Sequence, residues 1–361
     1  MRRKLRLIGV PARPFDKLRI ARGWGLLPLL LIAAFGAYGV YWWVAAGRIE
    51  REFAAWAQHA RAENYDISWR DLRVTGFPVA FRLELTQVSL HDGAISPAPL
   101  LTLPALSGSA RPWDPKNWHL AARRGLTLAI APLTLVARSA TGAVSVGPAG
   151  GATLWLTLAN AAAPSGTGGS RDAEGGRIAI GLADSWIVLP PRPPGAQVAP
   201  PLHIAVHVQQ IRLPVGIAPL GDTIEDLSAG LTVTGALPPG PLPRAVSAWR
   251  DSGGTVALDH LRLRWGALGA TGAGTVALDR DLQPVGGFSG AVEGYGEILT
   301  ALVKSGRIRP REAGLARLLL AMAAKAGPDG RPEIATSFTI EHGEMYLGPA
   351  KLGPAPRIVW E

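Results

Sequence analysis

The stretch "GTVALDHLRLRWGALGATGAGTVALDRDLQPVGGFSGAVEG", residues 254–294, decides the fold class of this chain. Within it, Leu261, Leu263 and Trp265 alternate with charged or polar residues, which is the period of two of a strand with one apolar face. Glycines and aspartates separate the apolar segments, as they do in turns between strands. The hexapeptide GTVALD occurs twice, and we interpret it as a local repeat of strand plus turn. The stretch therefore predicts several strands in succession.

The composition of the chain agrees with a β-rich protein. Hydrophobic residues make up 48% of the 361 residues and charged residues only 18%, while glycine (44) and proline (31) are abundant. That balance favours strands and turns over a helical bundle. The chain has no cysteine, which excludes disulfides, thiolate metal sites and cysteine nucleophiles.

A break in the strand pattern stands in the segment "VTGFPVAFRLEL". Gly76 permits a turn, Pro78 cannot donate a hydrogen bond to a sheet, and Phe77 is restricted to extended geometry by the proline after it. We interpret Gly76, Phe77 and Pro78 as a structural corner, with Phe77 packed as an anchor at the joint between two strands. Just beyond it the apolar phase slips between Leu85 and Val88, which predicts a β-bulge.

Other segments predict further strands, a few helices and two flexible loops. "ISWRDLRV", residues 67–74, predicts one strand, and apolar residues at helical spacing predict helices over residues 48–65 and 296–326. The first helix is expected to continue from the preceding segment or to follow a short break, and to contact either the sheet or a membrane surface. Loops rich in proline and glycine are predicted near residues 160–176 and 190–201.

Residues 24–46, "WGLLPLLLIAAFGAYGVYWWVAA", contain no charged residue and predict a transmembrane helix. As a helix this segment spans roughly 34 Å, enough for the hydrocarbon core of a bilayer. Trp24 at one end and Tyr41, Trp42 and Trp43 at the other are predicted to anchor it at the membrane interfaces. The alternative is a cleaved signal peptide, for which "VAAG" offers a cleavage site.

The charge distribution predicts the orientation of the chain. Residues 1–23 carry eight Lys or Arg and one Asp, and so supply +7 of the net charge of +10. By the positive-inside rule this leader stays in the cytoplasm, and residues 47–361 form a body on the other side of the membrane. If the source is a bacterium, as the resemblance described below implies, that side is the periplasm. The nearly balanced body and its position argue against nucleic-acid binding.

None of the candidate patterns for catalysis or metal binding is convincing. His203 and His207 have the spacing of two ligands on a helix, but their segment alternates like a strand, where residues four apart are about 13 Å apart. The glycine-rich residues 266–274 lack the lysine and the helix of a phosphate loop, and Asp279 and Asp281 fit a turn between strands. We therefore expect no catalytic, cofactor-binding or metal-binding residue, and no enzyme.

Three segments resemble the bacterial domain-of-unknown-function 2125 family: "VTGFPVAFRLEL", the stretch quoted first, and "HGEMYLGPAKLGPAPRI" near the end of the chain. The resemblance implies an N-terminal membrane segment and a large envelope-facing body, without established catalytic residues. The "GFP" motif and the turn style G-x-L-x-L-D are also similar to AsmA-like envelope proteins. That weaker similarity implies an association with lipid traffic and outer-membrane homeostasis.

Together these observations predict an α+β, β-dominated fold with one N-terminal transmembrane helix and a large, mostly antiparallel, twisted sheet on which a few helices pack. The first functional hypothesis is a protein anchored in the inner membrane whose curved sheet binds lipid or another hydrophobic envelope component. The second is a non-enzymatic envelope scaffold or assembly partner with a closed core. The third, a hydrolase, has no group of residues to support it. The sequence leaves open whether the sheet forms a groove or a closed core.

Overall fold

The computed structural model describes residues 26–361 except 63–64, 94–97, 131–132, 165–176, 192–199, 236, 239–240, 305–308, 328–329, 356, 359 and 361. The described part contains a long N-terminal helix, one large sheet in which every pairing is antiparallel, and three shorter helices. This confirms the predicted β-dominated α+β fold. The basic leader and Trp24 lie outside the described residues.

The first helix, α1, runs without interruption from Leu26 to Ala62. Its 37 residues extend about 55 Å, well beyond the roughly 30 Å of a bilayer core. The two helices predicted on either side of Gly47 are therefore one, because no proline or capping residue interrupts the pattern there. The predicted end at Tyr65 is wrong, since Tyr65 begins the first strand.

The strands of the sheet are mostly long and follow one another along the chain. Their bounds are β1 Tyr65–Ser68, β2 Asp71–Thr75, β3 Phe81–Asp92, β4 Leu100–Arg111, β5 Asp114–Ala122, β6 Leu126–Ile130, β7 Leu133–Val146, β8 Ala152–Pro164, β9 Arg177–Leu189, β10 Leu202–Ile217, β11 Gly221–Thr234, β12 Thr255–Trp265, β13 Leu268–Leu278, β14 Pro284–Glu293, β15 Lys325–Ala326, β16 Pro332–Glu341, β17 Glu344–Leu347 and β18 Ala350–Pro354.

The sheet is a meander, because nearly every strand pairs with the strand before it and the strand after it. Strands β1 and β2 share one edge of β3. Strand β4 pairs with the other edge of β3, and β5 and β6 together pair with β4 and β7. From β7 the order is sequential to β14, followed by β16, β17 and β18. Short connections between sequential antiparallel strands make this the simplest topology for the predicted turns.

Two predicted boundaries are wrong. The single strand expected over residues 67–74 is divided into β1 and β2 at Trp69 and Arg70, where the Arg70 N–H donates to the carbonyl of Thr86 at 2.9 Å. Residues 160–164, expected in a loop, continue strand β8 because they pair with β9. In both cases pairing with a neighbouring strand overrides the local composition. The rest of that loop, residues 165–176, lies outside the described residues.

The phase slip in β3 has a different cause from the predicted bulge. Gln87 takes a left-handed backbone conformation with φ of 51°, while β3 and β4 keep the same register on both sides of it. Asn160 in β8 and Gln210 in β10 are also left-handed and also leave the register unchanged. These residues shift the alternation by one without inserting a residue.

Three short helices lie in the connections between strands. Helix α2, Leu242–Asp251, joins β11 to β12 and buries Trp249, whose indole N–H donates to the carbonyl of Thr234 at 2.8 Å. Helices α3, Tyr295–Lys304, and α4, Pro310–Ala323, occupy most of the predicted helical region 296–326. The predicted end is wrong, because residues 325–326 form β15. Helix α4 packs on β16, and α3 packs on α4.

Buried apolar side chains concentrate in the first half of the sheet. One cluster joins Trp42 and Ala46 of α1 to Phe81 of β3. A second lies on β4 to β8, and its buried members are Leu103, Ala122, Leu126, Ala137, Ala140 and Ala161. Within the described residues, the buried side chains of β9 to β18 are reduced to Val208. The far part of the sheet is therefore weakly covered.

Glycines on the sheet permit close approach of neighbouring strands, which leads to a testable prediction. A Cβ atom at Gly290 of β14 would overlap the carbonyl oxygen of Thr271, whereas a Cβ at Gly287 of the same strand would meet nothing within 4 Å. We expect Gly290→Ala to lower the free energy of unfolding by about 1–3 kcal/mol, because the strands must separate. Urea unfolding of the full chain in detergent, followed by circular dichroism, measures this.

The matched control is Gly287→Ala in the same strand. We expect it to be neutral or to stabilise the protein by up to about 1 kcal/mol, since alanine has the lower conformational entropy in the unfolded chain. Equal effects of the two substitutions would contradict the close strand approach at Gly290.

Candidate functional site

One face of the sheet is apolar from β3 to β16. Residues that pair directly across neighbouring strands point to the same side, so the register of the strands defines rows across the sheet. The central row crosses twelve strands and extends about 50 Å at 4.8 Å per strand. Its members are Leu83, Gly108, Leu120, Gly142, Leu156, Ser185, Val206, Ala229, Leu261, Gly272, Gly290 and Thr336.

Two flanking rows on the same side are also apolar. The first consists of Trp118, Val144, Leu154, Ile187, Ile204, Leu231, Leu258, Gly274, Phe288, Phe338 and Leu347. The second consists of Ala122, Ala140, Leu158, Ala183, Val208, Leu227, Leu263, Ala270, Val292 and Ile334. The three rows contain no charged residue, and we call the surface that they form the apolar face.

The opposite side of the same strands is polar. The row between the central row and the second flanking row consists of Glu84, Ser107, Ala121, Thr141, Thr157, Asp184, His207, Ser228, Arg262, Thr271, Ala291 and Ala335. Side chains on this face bond across strands: the hydroxyl of Thr157 donates to Asp184, and His207 Nε2 lies 2.5 Å from Asp226 Oδ2. This contrast is typical of a sheet with one side in water.

The apolar face is only partly covered. From β8 to β16, every residue of its central and second flanking rows is half-buried except Val208, which is buried. In the described part of the chain, the strands from β8 to β13 pack mainly on their neighbours in the sheet, and helix α2 contacts β11 at Thr234. Large apolar surfaces left partly exposed in this way mark sites of interaction. The described residues therefore form a half-open apolar surface rather than a sealed core.

A cavity of about 1170 Å³ lies where the apolar face begins, between α1 and the strands β3, β5 and β7. Leu83, Leu120 and Val144 of the apolar face form part of its wall on the sheet side. On the other side it is lined by residues of α1 from Tyr41 to Trp56. Its volume is slightly above the roughly 300–1,000 Å³ of small-molecule sites.

Three charged residues stand on the wall of this cavity. The Arg48 Nε–H donates to Glu52 Oε1 at 2.6 Å along α1, and this hydrogen bond raises the pKa of the Arg48 guanidinium further above its usual value. Lys116 of β5 is the third. Arg48 and Lys116 together outweigh Glu52, so the cavity combines apolar walls with a small excess of positive charge.

The predicted corner is the turn between β2 and β3. Gly76 has φ of 102°, the Ala80 N–H donates to the Gly76 carbonyl at 3.0 Å, and the Phe77–Pro78 peptide bond is cis. Phe77 does not pack between two strands as expected. Its ring contacts three aromatic rings of α1, those of Phe35, Tyr38 and Trp42.

The predicted interface anchors at the end of the membrane segment face different surroundings. Trp42 is buried against the sheet, where its ring stacks on Phe81 with centroids 5.6 Å apart. Tyr41 is half-exposed and its hydroxyl donates to the Pro112 carbonyl at 2.9 Å, while Trp43 points outward with 75% of its surface exposed. Their position at a membrane interface stays a prediction.

The two histidines singled out in the sequence bond to polar groups of the neighbouring strand. His203 and His207 lie on strand β10, next to Thr232 and Asp226 respectively. Among the residues that the structure describes, no group of three or more His, Asp or Glu side chains has the arrangement of a metal site. A second cavity of about 1020 Å³, beside Gln87 and Asn160, is open and is rimmed by exposed arginines.

Sequence reasoning missed the pairing of apolar residues into rows, although the alternation in each strand was visible. It also missed the cavity under α1, because its lining comes from residues between 41 and 144 that are distant in the sequence. The only signal in the sequence was a stripe of apolar residues at helix positions 45, 49, 53 and 56, followed in the chain by strands that also have an apolar side.

Helix α1 has the properties of a membrane span. Within the described residues it is the one helix that is long and apolar enough to cross a membrane, with a mean hydropathy of 1.7 in its most apolar part. Only 11% of that part is buried in the molecule, whereas the core helix of a soluble protein is mostly buried. The length, the composition and the exposure of α1 are consistent with membrane anchoring.

Comparison with known proteins identifies the family. The family described as "Uncharacterized protein conserved in bacteria (DUF2125)" matches residues 42–356, which include the entire sheet and the second half of α1. No curated protein and no solved structure matches the chain. The similarity to AsmA-like proteins therefore stays a prediction. With a match over most of its length, the chain belongs to the DUF2125 family of uncharacterized bacterial proteins.

Proposed function

We propose that this protein is a membrane-anchored, non-enzymatic binding protein whose apolar face holds the acyl chains of lipids. The observation that carries the proposal is the continuity of that face. It begins beside the membrane helix at Leu83 and extends about 50 Å to Thr336 without a charged residue. A surface of this length and polarity suits chain-like apolar molecules better than a compact polar substrate.

The partial exposure of the apolar face supports a ligand rather than a closed core. Packing against a second layer would bury such strands to near completeness on one side, as in sandwiches. Here the residues of the central and second flanking rows from β8 to β16 remain half-buried, and only Val208 among them is buried. Covering them with acyl chains would gain about 25 cal/mol for each Å² of apolar surface removed from water. The alternative function, a scaffold with a closed core, requires another protein surface on the same face.

The location that we propose is the bacterial inner membrane, with the leader in the cytoplasm and the sheet in the periplasm. The support is the excess of Lys and Arg in residues 1–23 before the apolar segment. A fusion of alkaline phosphatase after Glu361 should be active, because the enzyme matures in the periplasm. An inactive fusion at normal expression would reverse the orientation.

The binding function is tested by native mass spectrometry of the full chain. The protein is purified from bacterial membranes in detergent, and the complex is released from detergent in the instrument. We expect additional mass from phospholipid that survives delipidating washes, together with binding of a fluorescent apolar probe by a delipidated sample. A bare chain that also fails to bind the probe would reject the lipid-binding function and favour the scaffold.

A further inference from the structure

Two turns at one end of the sheet lie against the membrane helix. The first is the β2–β3 turn, residues 76–80, and the second is the β4–β5 turn, residues 112–113. The ring centroid of Phe77 is 5.8 Å from that of Phe35 and 5.6 Å from that of Trp42. Phe35 and Trp42 are seven residues, or about 10 Å, apart along α1. Phe77 therefore lies beside the apolar segment of α1, not beyond its end.

Three backbone carbonyls of the two turns accept hydrogen bonds from side chains of α1. The hydroxyls of Tyr38 and Tyr41 donate to the carbonyls of Pro78 and Pro112, and the Trp42 indole N–H donates to the carbonyl of Ala80 at 3.3 Å. The two prolines have no N–H that would need an acceptor. Irregular backbone at the depth of the bilayer requires this kind of internal satisfaction, because lipid tails offer no hydrogen bonds.

The exposed side chains of the turns are apolar. Val79 is 62% exposed, Trp113 is 67% exposed and Phe77 is 44% exposed. In water these exposed apolar side chains would favour aggregation, whereas next to a membrane helix they can enter the lipid. Charged residues flank both turns. Arg82 lies two residues after the first turn, and Arg111 and Asp114 lie directly before and after the second. The Asp114 carboxylate accepts a hydrogen bond from the side-chain amide of Asn117 at 2.7 Å. Long arginine side chains at this level can reach the headgroups.

We propose that the two turns are immersed in the leaflet on the body side of the membrane, and that the cavity under α1 opens to this leaflet and takes up an acyl chain of a phospholipid. The second part of this proposal, the uptake of an acyl chain, rests on the proposed function. The cavity is lined from Tyr41, at the level of the turns, to Trp56, which is fifteen residues or about 22 Å farther along α1. Lipid entering at the turns would thus pass directly onto the first strands of the apolar face.

The charge of the cavity wall favours a phospholipid over a neutral apolar molecule. Arg48 and Lys116 supply two positive charges against the one negative charge of Glu52. A phosphodiester accepts charge-assisted hydrogen bonds from side chains of these two kinds. The apolar remainder of the wall, including Ile49 and Leu120, suits the acyl chain.

The immersion of the turns is tested by depth-dependent quenching. The chain contains no cysteine, so single-cysteine variants can be labelled selectively. Val79→Cys and Trp113→Cys carry a fluorescent label in the full chain, reconstituted in phosphatidylcholine vesicles that contain spin-labelled lipid. We expect both probes to be quenched by the lipid and shielded from aqueous iodide. The control is Arg280→Cys, in an exposed turn at the end of β13, which iodide should quench. Iodide quenching of both test probes would overturn the immersion.

The route through the cavity is tested by filling it from either wall. Ala45→Trp on α1 and, independently, Val144→Phe on β7 place a larger side chain in the cavity. We expect loss of the phospholipid detected by native mass spectrometry from each variant that retains the circular dichroism of the parent chain. Two folded variants as fully loaded as the parent would overturn the entry route while leaving the binding function intact. An unloaded parent chain would instead overturn the binding function itself.

Discussion

Leu227→Glu should remove most of the bound lipid from this protein, although the substitution is far from the membrane. Leu227 lies on β11 in the apolar face, paired with Val208 on one side and Leu263 on the other. A carboxylate there would either stay charged against acyl chains or become protonated, and both cost several kcal/mol. Each 1.4 kcal/mol lowers the affinity about tenfold. The measurement is bound phospholipid per chain after gel filtration, by liquid chromatography and mass spectrometry.

The matched control is Ser228→Glu, the same introduced residue one position along β11. Ser228 lies on the polar face, paired with His207 and Arg262, so the added carboxylate meets polar neighbours and water. We expect normal lipid content for this variant. Because both residues are half-buried, their effects on folding should be similar. Equal lipid content in the two variants would show that the face of the sheet is irrelevant to binding.

Phe81→Ala should produce the largest loss of stability of any single truncation in the described sheet. Phe81 is 1% exposed and stacks on Trp42 of α1, so it joins this helix to the sheet. Removing a buried phenylalanine side chain costs about 3–5 kcal/mol through lost transfer energy and a residual cavity. The aromatic pair contributes about 0.5–1.5 kcal/mol beyond its buried area. Urea unfolding of the full chain in detergent measures the loss.

Phe288→Ala is the comparison for this effect. Phe288 also pairs with an aromatic residue, Phe338, with ring centroids 6.0 Å apart, but it is half-buried on the uncovered part of the apolar face. We expect a smaller loss, because less surface leaves water when this part folds. A loss as large as that of Phe81→Ala would mean that the apolar face is sealed, contrary to our interpretation.

The fold class could be predicted from the sequence, because the alternation of apolar and polar residues indicates strands. Leu261, Leu263 and Trp265 alternate with charged residues, and the structure places them on strand β12. The uncharged run before Gly47 likewise predicted a helix that can span a membrane. Helix boundaries were harder to predict from the sequence, since α1 continues through Gly47 to Ala62 and packs on β1 and β2. Tertiary contacts, not local propensity, decide where such a helix ends.

The candidate site could be predicted from the sequence less completely than the fold class. Alternation shows that each strand has an apolar side, but only the register shows that these sides align over twelve strands. A shift of one residue in any pairing would have moved a strand's apolar side to the opposite face. The left-handed residues Gln87, Asn160 and Gln210 illustrate the difficulty, because they shift the alternation while the register stays unchanged.

The structure shows a different packing role for the Gly76–Pro78 turn from the one that we predicted. Its glycine and proline indicated a turn, which local chemistry can specify. Its partner was not predictable, because Phe77 contacts Phe35 and Trp42, about forty residues earlier in the chain. The contact places the turn against the apolar segment of α1.

The central claim, that the apolar face holds lipid along its length, is tested most directly by site-specific photocrosslinking in the bacterial membrane. Benzoylphenylalanine is placed at Leu261 on the apolar face or at Arg262, its neighbour on the polar face of β12. The two positions are adjacent on one strand, and their side chains point to opposite faces of the sheet. Leu261 is half-buried and Arg262 is exposed. We predict phospholipid adducts at position 261, identified by mass spectrometry, and none at position 262. Adducts at neither position, or equally at both, would contradict the account.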